Sequence, residues 1–279
     1  MCSDKVSAAA VLFDYDNKWS LDVMWGWQNG DKKYEETCIE HYKQFWKRGI
    51  NCDVICPDRE FSPYKIIVAP MLHEISEEMI DKIERYVANG GVFVGTYTLG
   101  YVDESNLCYL GGVPGGRLKD IFGLRVEEME TACGGEKAEV VFGSKFYDAV
   151  DYMDIIKTTT AKSIAVYGSN HYWGKCCAAK NNYKEGTAYY IGARDGGDFL
   201  GDIYDLILED AKISACKIKF PAGMTVQTRG TGEKVYYFVE NFNDKECDII
   251  LDRTYNGIIA GKQVSGKITL PPFGFIVII

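Results

Sequence analysis

Short, mostly unbroken apolar runs constrain this chain more than any other feature: Val6 to Phe13, Cys52 to Cys56, Lys65 to Ala69 and Val92 to Val94. A strand with one wet face alternates apolar and polar residues, whereas a continuous run is covered on both faces and indicates a parallel sheet between helices. The first run closes on Asp14-Tyr-Asp-Asn17, and the next two stop at Pro57 and Pro70. Helix signals lie between the runs. Cys38, Tyr42, Phe45 and Trp46 recur at helical spacing within Tyr34 to Lys47, and Gly49 is placed as a stop. From Ser76 to Asn89 the signal is stronger: Ser76 is a good N-cap, Glu77 and Glu78 suit the positive end of the helix dipole, and Met79, Ile80, Ile83, Tyr86 and Val87 make one stripe. Gly90-Gly91 then releases the chain into the next strand. Strand, helix, strand with short connections is a right-handed crossover, so the reading up to Tyr97 predicts a doubly wound α/β sheet with its functional rim at the carboxyl ends of the strands.

Beyond Tyr97 the pattern loosens. Leu99 to Arg117 is glycine-rich, but it lacks Gly-Lys-Ser/Thr and carries Asp103 and Glu104, which repel phosphate, so it is expected to be a surface loop. Leu118 to Phe122 predicts a short helix and Leu124 to Met129 a strand. Glu139 to Ile191 breaks into short segments, and Gly196 to Ala211 returns to helix through Phe199, Leu200, Ile203, Leu206 and Ile207. From about Lys217 all signals are strand: Thr225 to Arg229, Val235 to Glu240, Cys247 to Leu251, Lys267 to Leu270 and Phe275 to Ile279, with turns at Thr231-Gly232, Asn243-Asp244 and Pro271-Pro272. The expected division is residues 1–214 as an α/β domain and 215–279 as a small C-terminal β-sandwich.

Charge and composition exclude several classes. With 31 Lys and Arg against 40 Asp and Glu the net charge is -9, which argues against nucleic acid as a partner. No apolar run reaches the roughly 20 residues that span a bilayer, and Met1-Cys2-Ser3-Asp4 does not open a signal peptide, so no membrane partner and a cytoplasmic location are expected. Six of the ten cysteines are isolated in sequence, Cys52 and Cys56 share a strand-like run, and Cys176 and Cys177 are adjacent, a spacing poorly suited to one tetrahedral metal. Reduced, mostly buried thiols are expected. His41, His73 and His171 complete no ligand set at metal spacing, so neither a metal nor a cofactor is expected. His41, one turn before Phe45 and Trp46, reads as a packed helix histidine.

Tyr97 stands where an α/β hydrolase or amidotransferase places its nucleophile. A strand-to-helix elbow reacts only through Ser, Cys or Thr backed by a base, and a phenol of pKa about 10 does not serve. An amidotransferase-like enzyme would need a cysteine at that elbow with a downstream histidine, and His171 is followed instead by Tyr172-Trp173. A carbohydrate-binding module would need an exposed aromatic platform. Tyr236, Tyr237 and Phe238 are consecutive, so in strand geometry at least one faces the core and one outward, which is weak support for such a platform.

Several segments carry a family resemblance: Val11-Leu-Phe-Asp-Tyr-Asp-Asn17, Tyr64-Lys-Ile-Ile-Val-Ala-Pro-Met71, Gly90-Gly-Val-Phe-Val-Gly-Thr-Tyr97, Leu110-Gly-Gly-Val-Pro-Gly115 and Phe122-Gly-Leu-Arg-Val-Glu-Glu128. Together they resemble the trimerisation domain of family 42 glycoside hydrolases, the β-galactosidases. Tyr183-Lys-Glu-Gly-Thr-Ala-Tyr-Tyr-Ile-Gly192 and Leu270-Pro-Pro-Phe-Gly274 resemble the end of that domain and the family's small β domain. The resemblance runs in order over nearly the whole chain. It implies a class I glutamine amidotransferase-like, flavodoxin-like sheet followed by a small antiparallel all-β domain, assembly into a homotrimer, and a catalytic (β/α)8 barrel outside this sequence. Because the family's two catalytic glutamates belong to that barrel, Glu35, Glu36, Glu77, Glu78, Glu104, Glu127 and Glu128 inherit no role from them, and the chain alone is expected to be inactive. A β-galactoside is implied as ligand only in the barrel's company. By the same resemblance, strand-end loops lie near a neighbouring barrel's active-site mouth, so Asp14, Asp16, Asn17 and Trp19 after the first strand, and Tyr97 and Tyr101 after the fourth, are candidates for the sugar pocket or the interface. Trp19, Trp25 and Trp27, close together in what reads as a loop, are bound either into the chain's own core, against a partner or onto a sugar ring.

Overall fold

The structure, a computed structural model, describes residues 7–26, 28–132, 135–195, 197–231, 234–259 and 261–279. In chain order the elements are β1 (Ala9–Leu12), α1 (Tyr15–Val23), α2 (Tyr34–Trp46), β2 (Cys52–Ile55), β3 (Ile66–Ala69), α3 (Glu77–Ala88), β4 (Val92–Thr96), α4 (Leu118–Phe122), β5 (Leu124–Thr131), β6 (Ala138–Phe142), β7 (Lys145–Thr158) and β8 (Lys162–Tyr167). They continue with β9 (Cys176–Tyr183), β10 (Gly186–Ile191), β11 (Ala193–Asp195), α5 (Asp198–Asp210), β12 (Met224–Thr231), β13 (Lys234–Asn241), β14 (Cys247–Ile250), β15 (Tyr255–Asn256), β16 (Gln263–Val264), β17 (Lys267–Leu270) and β18 (Phe275–Ile278).

Eleven strands make one sheet, in the order β11-β7-β6-β8-β9-β10-β4-β3-β1-β2, with β5 paired to β7 off this path. The run β2-β1-β3-β4-β10 is the flavodoxin-like order, and β3 with β4 and β4 with β10 pair in parallel. From β10 outward the pairing is antiparallel, through β9, β8, β6 and β7. The doubly wound expectation therefore describes half of the sheet. The other half is an antiparallel extension made by the stretch whose pattern breaks into short segments, and its hairpins need no helices between strands.

By density of contacts, residues 10–41 and 54–212 form one compact unit, and residues 7–9, 42–53 and 213–279 another. In the larger unit helices cover both faces of the sheet. Ile80, Ile83, Tyr86 and Val87 of α3 and Leu118, Ile121 and Phe122 of α4 pack with Ile67, Ala69, Phe93, Ala188 and Tyr190. Tyr189, pointing to the opposite face by the pleat, donates to Asp210 of α5 at 2.5 Å. On that second face His41 of α2 hydrogen-bonds Tyr204 of α5 at 2.7 Å, and its burial lowers its pKa to about 3. The helix capped by Ser76 forms as its sequence indicates, with the Ser76 side chain accepting from the Met79 amide at 3.1 Å. Its far end meets β10 so closely that a Cβ at Gly186 would lie 2.1 Å from the Val87 carbonyl oxygen, a backbone contact that only glycine permits.

The smaller unit has three sheets, β12-β13-β18, β14-β17 and β15-β16, around Ile218, Met224, Val226, Val239, Ile249, Leu270 and Ile278. Segment 42–53 joins this unit through Asn51, whose amide donates to the Thr228 carbonyl at 2.7 Å and accepts from its N–H at 3.0 Å. The five expected strands all form. The two-residue strands β15 and β16 are too short to leave a sequence pattern.

One local expectation is corrected. Residues 15–23, read as a loop, are the helix α1, capped by Asp14. It buries Asn17, Ser20 and Leu21 while Tyr15, Trp19 and Val23, one turn apart, are 61%, 59% and 74% exposed. Its apolar stripe points away from the core, so it lacks the inward stripe by which a surface helix is recognised.

Candidate functional site

The carboxyl ends of the parallel strands are the place where an open α/β sheet holds its ligands. In this chain they are filled by the protein's own side chains. Tyr97, just past β4, is 2% exposed, shares a 3.0 Å hydrogen bond with Thr37 and stacks on Tyr152 with ring centres 4.9 Å apart. Burial pushes its phenol far above the usual range, so it is no nucleophile at the elbow. Beside it the half-buried guanidinium of Arg194 bonds Glu40 at 2.6 Å and also Asp151. Among the described residues no histidine hydrogen-bonds a cysteine thiol: His41 meets Tyr204, His73 stacks on Tyr101, and His171 faces Glu130. The thiols of Cys38 and Cys177 are buried, and burial raises the first to about 12. Cys2 and Cys133 lie outside the described residues.

The candidate residues divide into two groups. Asn17, Tyr97 and Tyr101 face inward. Asn17 is fully buried and donates to the Met71 carbonyl at 3.0 Å, while its oxygen accepts from His73 N–H at 2.7 Å and Glu74 N–H at 3.0 Å. It pins the loop after β3 and, being fully buried, is out of a sugar's reach. Tyr101 stacks on His73 with ring centres 5.4 Å apart. Asp14 is half-buried; its carboxylate caps α1 by accepting from Asp16 N–H at 3.1 Å, and burial raises its pKa. Asp16, Trp19 and Trp25 face outward, and Trp25 is 91% exposed. Trp27 lies outside the described residues. The seven described candidates therefore do not gather into one pocket. Tyr15 and Val23 belong to the outward group and went unnoticed, although their spacing from Trp19, four residues each way behind the capping Asp14, was the signal that could have shown them.

Beneath this surface lies a buried polar cluster that sequence reading missed. Asp154 of β7 is 2% exposed and accepts from Tyr190 at 2.6 Å. Burial raises its carboxyl pKa to about 7 against the pull of Tyr190 and of the Thr98 backbone N–H. His73 is driven the other way, to about 4, by burial and then by the charge of Lys32. Both groups are thus neutral over part of the range below neutrality.

A separate open groove of about 960 Å³ lies at the amino ends of β3, β4 and β10, lined by Phe61, Tyr64, Lys65, Lys82, Gly91 and Glu185 among others. Lys82 is committed there to the carbonyls of Pro57 at 2.6 Å and Arg59 at 2.5 Å, above the Phe61 ring. Its position at the wrong end of the strands sets it apart from the expected rim. In the smaller unit Tyr236, Tyr237 and Phe238 are all half-buried, and Tyr237 packs edge-on to Tyr255.

Comparison with known proteins identifies the family. Residues 7–214 match the family model of the β-galactosidase trimerisation domain, and residues 223–278 that of the β-galactosidase C-terminal domain. The chain is 35% identical over 265 residues to the β-galactosidase GalA of Bacillus licheniformis, covering 95% of this chain and 39% of that protein. It is 36% identical over 275 residues to the β-galactosidase Pbg of Clostridium perfringens, covering 95% and 40%. Among solved structures, a family 42 β-galactosidase from G. stearothermophilus superposes with a TM-score of 0.93 at 34% identity, over 98% of this chain and 40% of that one. The chain thus spans about two-fifths of the length of these relatives. No helix among the described residues is long and apolar enough to cross a membrane.

Proposed function

The chain belongs to the family 42 β-galactosidases, and from that premise we propose that it is a noncatalytic assembly region, joining copies into a homotrimer and supporting a (β/α)8 barrel that cleaves β-galactosides. The observation that carries this reading is the outward stripe Tyr15, Trp19 and Val23 with Trp25 beyond it. Contiguous exposed apolar surface on one helix face marks a surface covered by another polypeptide. The plugged carboxyl-end rim supports the noncatalytic half: Tyr97 and Arg194 occupy the place a substrate would need. Within this reading Trp19 and Trp25 make the contact, Asp16 borders it, and Asp14, Asn17, Tyr97 and Tyr101 hold the loops beneath in position. The domain boundary falls between residues 214 and 215, and the location is the cytoplasm.

Sedimentation velocity over a range of concentrations tests the assembly role. A species of three times the 31.3 kDa chain mass is expected, and a monomer at every concentration up to about 100 µM, well above the working range of a stable assembly, would sink it. Turnover of a chromogenic β-galactoside that persists through purification would overturn the noncatalytic half.

A further inference from the structure

We infer that Glu128, Glu130 and His171 form a binding site for one divalent transition-metal cation of the zinc class. One carboxylate oxygen from each glutamate and one imidazole nitrogen lie within 4.8 Å of one another, and His171 Nε2 is 4.0 Å from Glu130 Oε1. Nothing in the spacing of the chain suggests the set, because the histidine comes from the turn between β8 and β9 and the glutamates from β5.

The local fold explains why two carboxylates converge. A bulge in the β5–β7 ladder leaves Glu127 as the extra residue between the pairs Val126 with Ile156 and Glu128 with Ile155. That irregularity separates the acids. Glu127 goes with Arg125, at 2.9 Å, and Lys157, at 3.8 Å. Glu128 and Glu130, two residues apart past the bulge, share the other face. Among the described residues neither has a lysine or arginine at ion-pair distance. Two like charges are therefore held together with His171 beside them, and a dication would neutralise both.

The donor set selects the ion. Two carboxylates alone suit magnesium or calcium, whereas an imidazole nitrogen shifts the preference to a borderline cation such as Zn²⁺. Ligands about 2.0–2.2 Å from such an ion lie roughly 3–4 Å from one another, a short contraction from the spacing here. Exposed side chains make that contraction by rotation: His171 is 69% and Glu130 41% exposed. Three protein ligands leave a position for water. The bound ion would clamp the turn 168–175 onto β5.

The test is calorimetric titration of ZnCl₂ into the full chain after alkylation of accessible thiols, since Cys56 and Cys108 are exposed and would compete. One Zn²⁺ per chain is expected, with affinity lowered about tenfold or more in His171→Ala and in Glu128→Gln, and unchanged in Glu127→Gln. MgCl₂ is expected to give no heat at the same concentrations. Circular dichroism of each variant checks folding, which these exposed positions leave intact. Absence of zinc heat, heat unchanged in His171→Ala, or an equal loss in Glu127→Gln would each overturn the assignment.

Discussion

Helices α1 and α3 obey opposite rules. In α3 the apolar residues Ile80, Ile83 and Val87 are fully buried and the charged ones face water; in α1 the polar Asn17 and Ser20 are buried, while Tyr15, Trp19 and Val23 are exposed. Both helices are well capped, by Ser76 and by Asp14, so the difference lies in what their faces meet. The stripe of α3 is used within the fold of this chain. That of α1 is left exposed, and its inner face combines the fully buried Leu21 with hydrogen bonds, Ser20 donating to Asn106 at 2.6 Å.

The largest effect expected from this contrast is in α3. Ile83→Ala removes a fully buried side chain from the core cluster and should lower stability by about 2–5 kcal/mol, read as a shift in the urea midpoint. A loss well under about 1 kcal/mol would mean that α3 is not the structural helix of the pair.

The buried carboxyl of Asp154 comes next. Asp154 has a folded pKa of about 7 against an ordinary 3.8, so between those values the folded chain holds a proton that the unfolded chain has released. Asp154's own contribution to stability should therefore fall as pH rises from about 4 to about 7 and stay level above, with a ceiling on the order of 4 kcal/mol, against the opposite slope of His41 and His73, whose burial lowers their pKa values. Asp154→Asn keeps an acceptor for Tyr190 and removes this titration alone, so the stability of the parent relative to the variant should fall over that range, and the variant should exceed the parent at pH 8. Parallel curves for the two proteins would show that Asp154 does not titrate in this window.

Asn17→Ala is expected to be the third largest. It removes the partner of the Glu74 N–H and one of the partners of the Met71 carbonyl and the His73 N–H, which keep their bond to each other at 2.8 Å, at about 1–3 kcal/mol. Hydrogen exchange should quicken at His73 and Glu74. Unchanged protection there would return Asn17 to the surface group and break the division drawn between inner and outer faces of α1.

How far these features could be read from residues alone differs along the same lines. The parallel core and α3 were legible because their apolar residues recur with the period of the element that buries them. The antiparallel half of the sheet was seen only as a change in pattern, since its half-buried strands and bulges, as in β5 and β8, blur the alternation. For α1 the periodicity was present but pointed outward, and a reading that equates apolar with inward took it for a loop. Two sites were hidden by distance along the chain: the buried pair Asp154 and Tyr190 and the exposed pair Glu130 and His171 each come from separate segments. Tyr97 was singled out from its place after a strand, and what surrounds it, Thr37, Tyr152 and Arg194, comes from three separate segments.

The smallest effect on stability is the most informative about function. Trp19→Glu combined with Val23→Glu changes only exposed positions, so the folded state should shift by no more than about 0.5 kcal/mol. If the stripe of α1 is a covered face in the assembly, the same two charges must be desolvated there, and self-association should be lost although, at a concentration where the parent is also monomeric, variant and parent unfold at the same midpoint. A trimer that survives both substitutions would place the contact elsewhere and leave the inverted helix without an explanation. A variant that loses stability as well would show that α1 is packed by its own chain, and the contrast with α3 would then collapse into two helices that follow one rule.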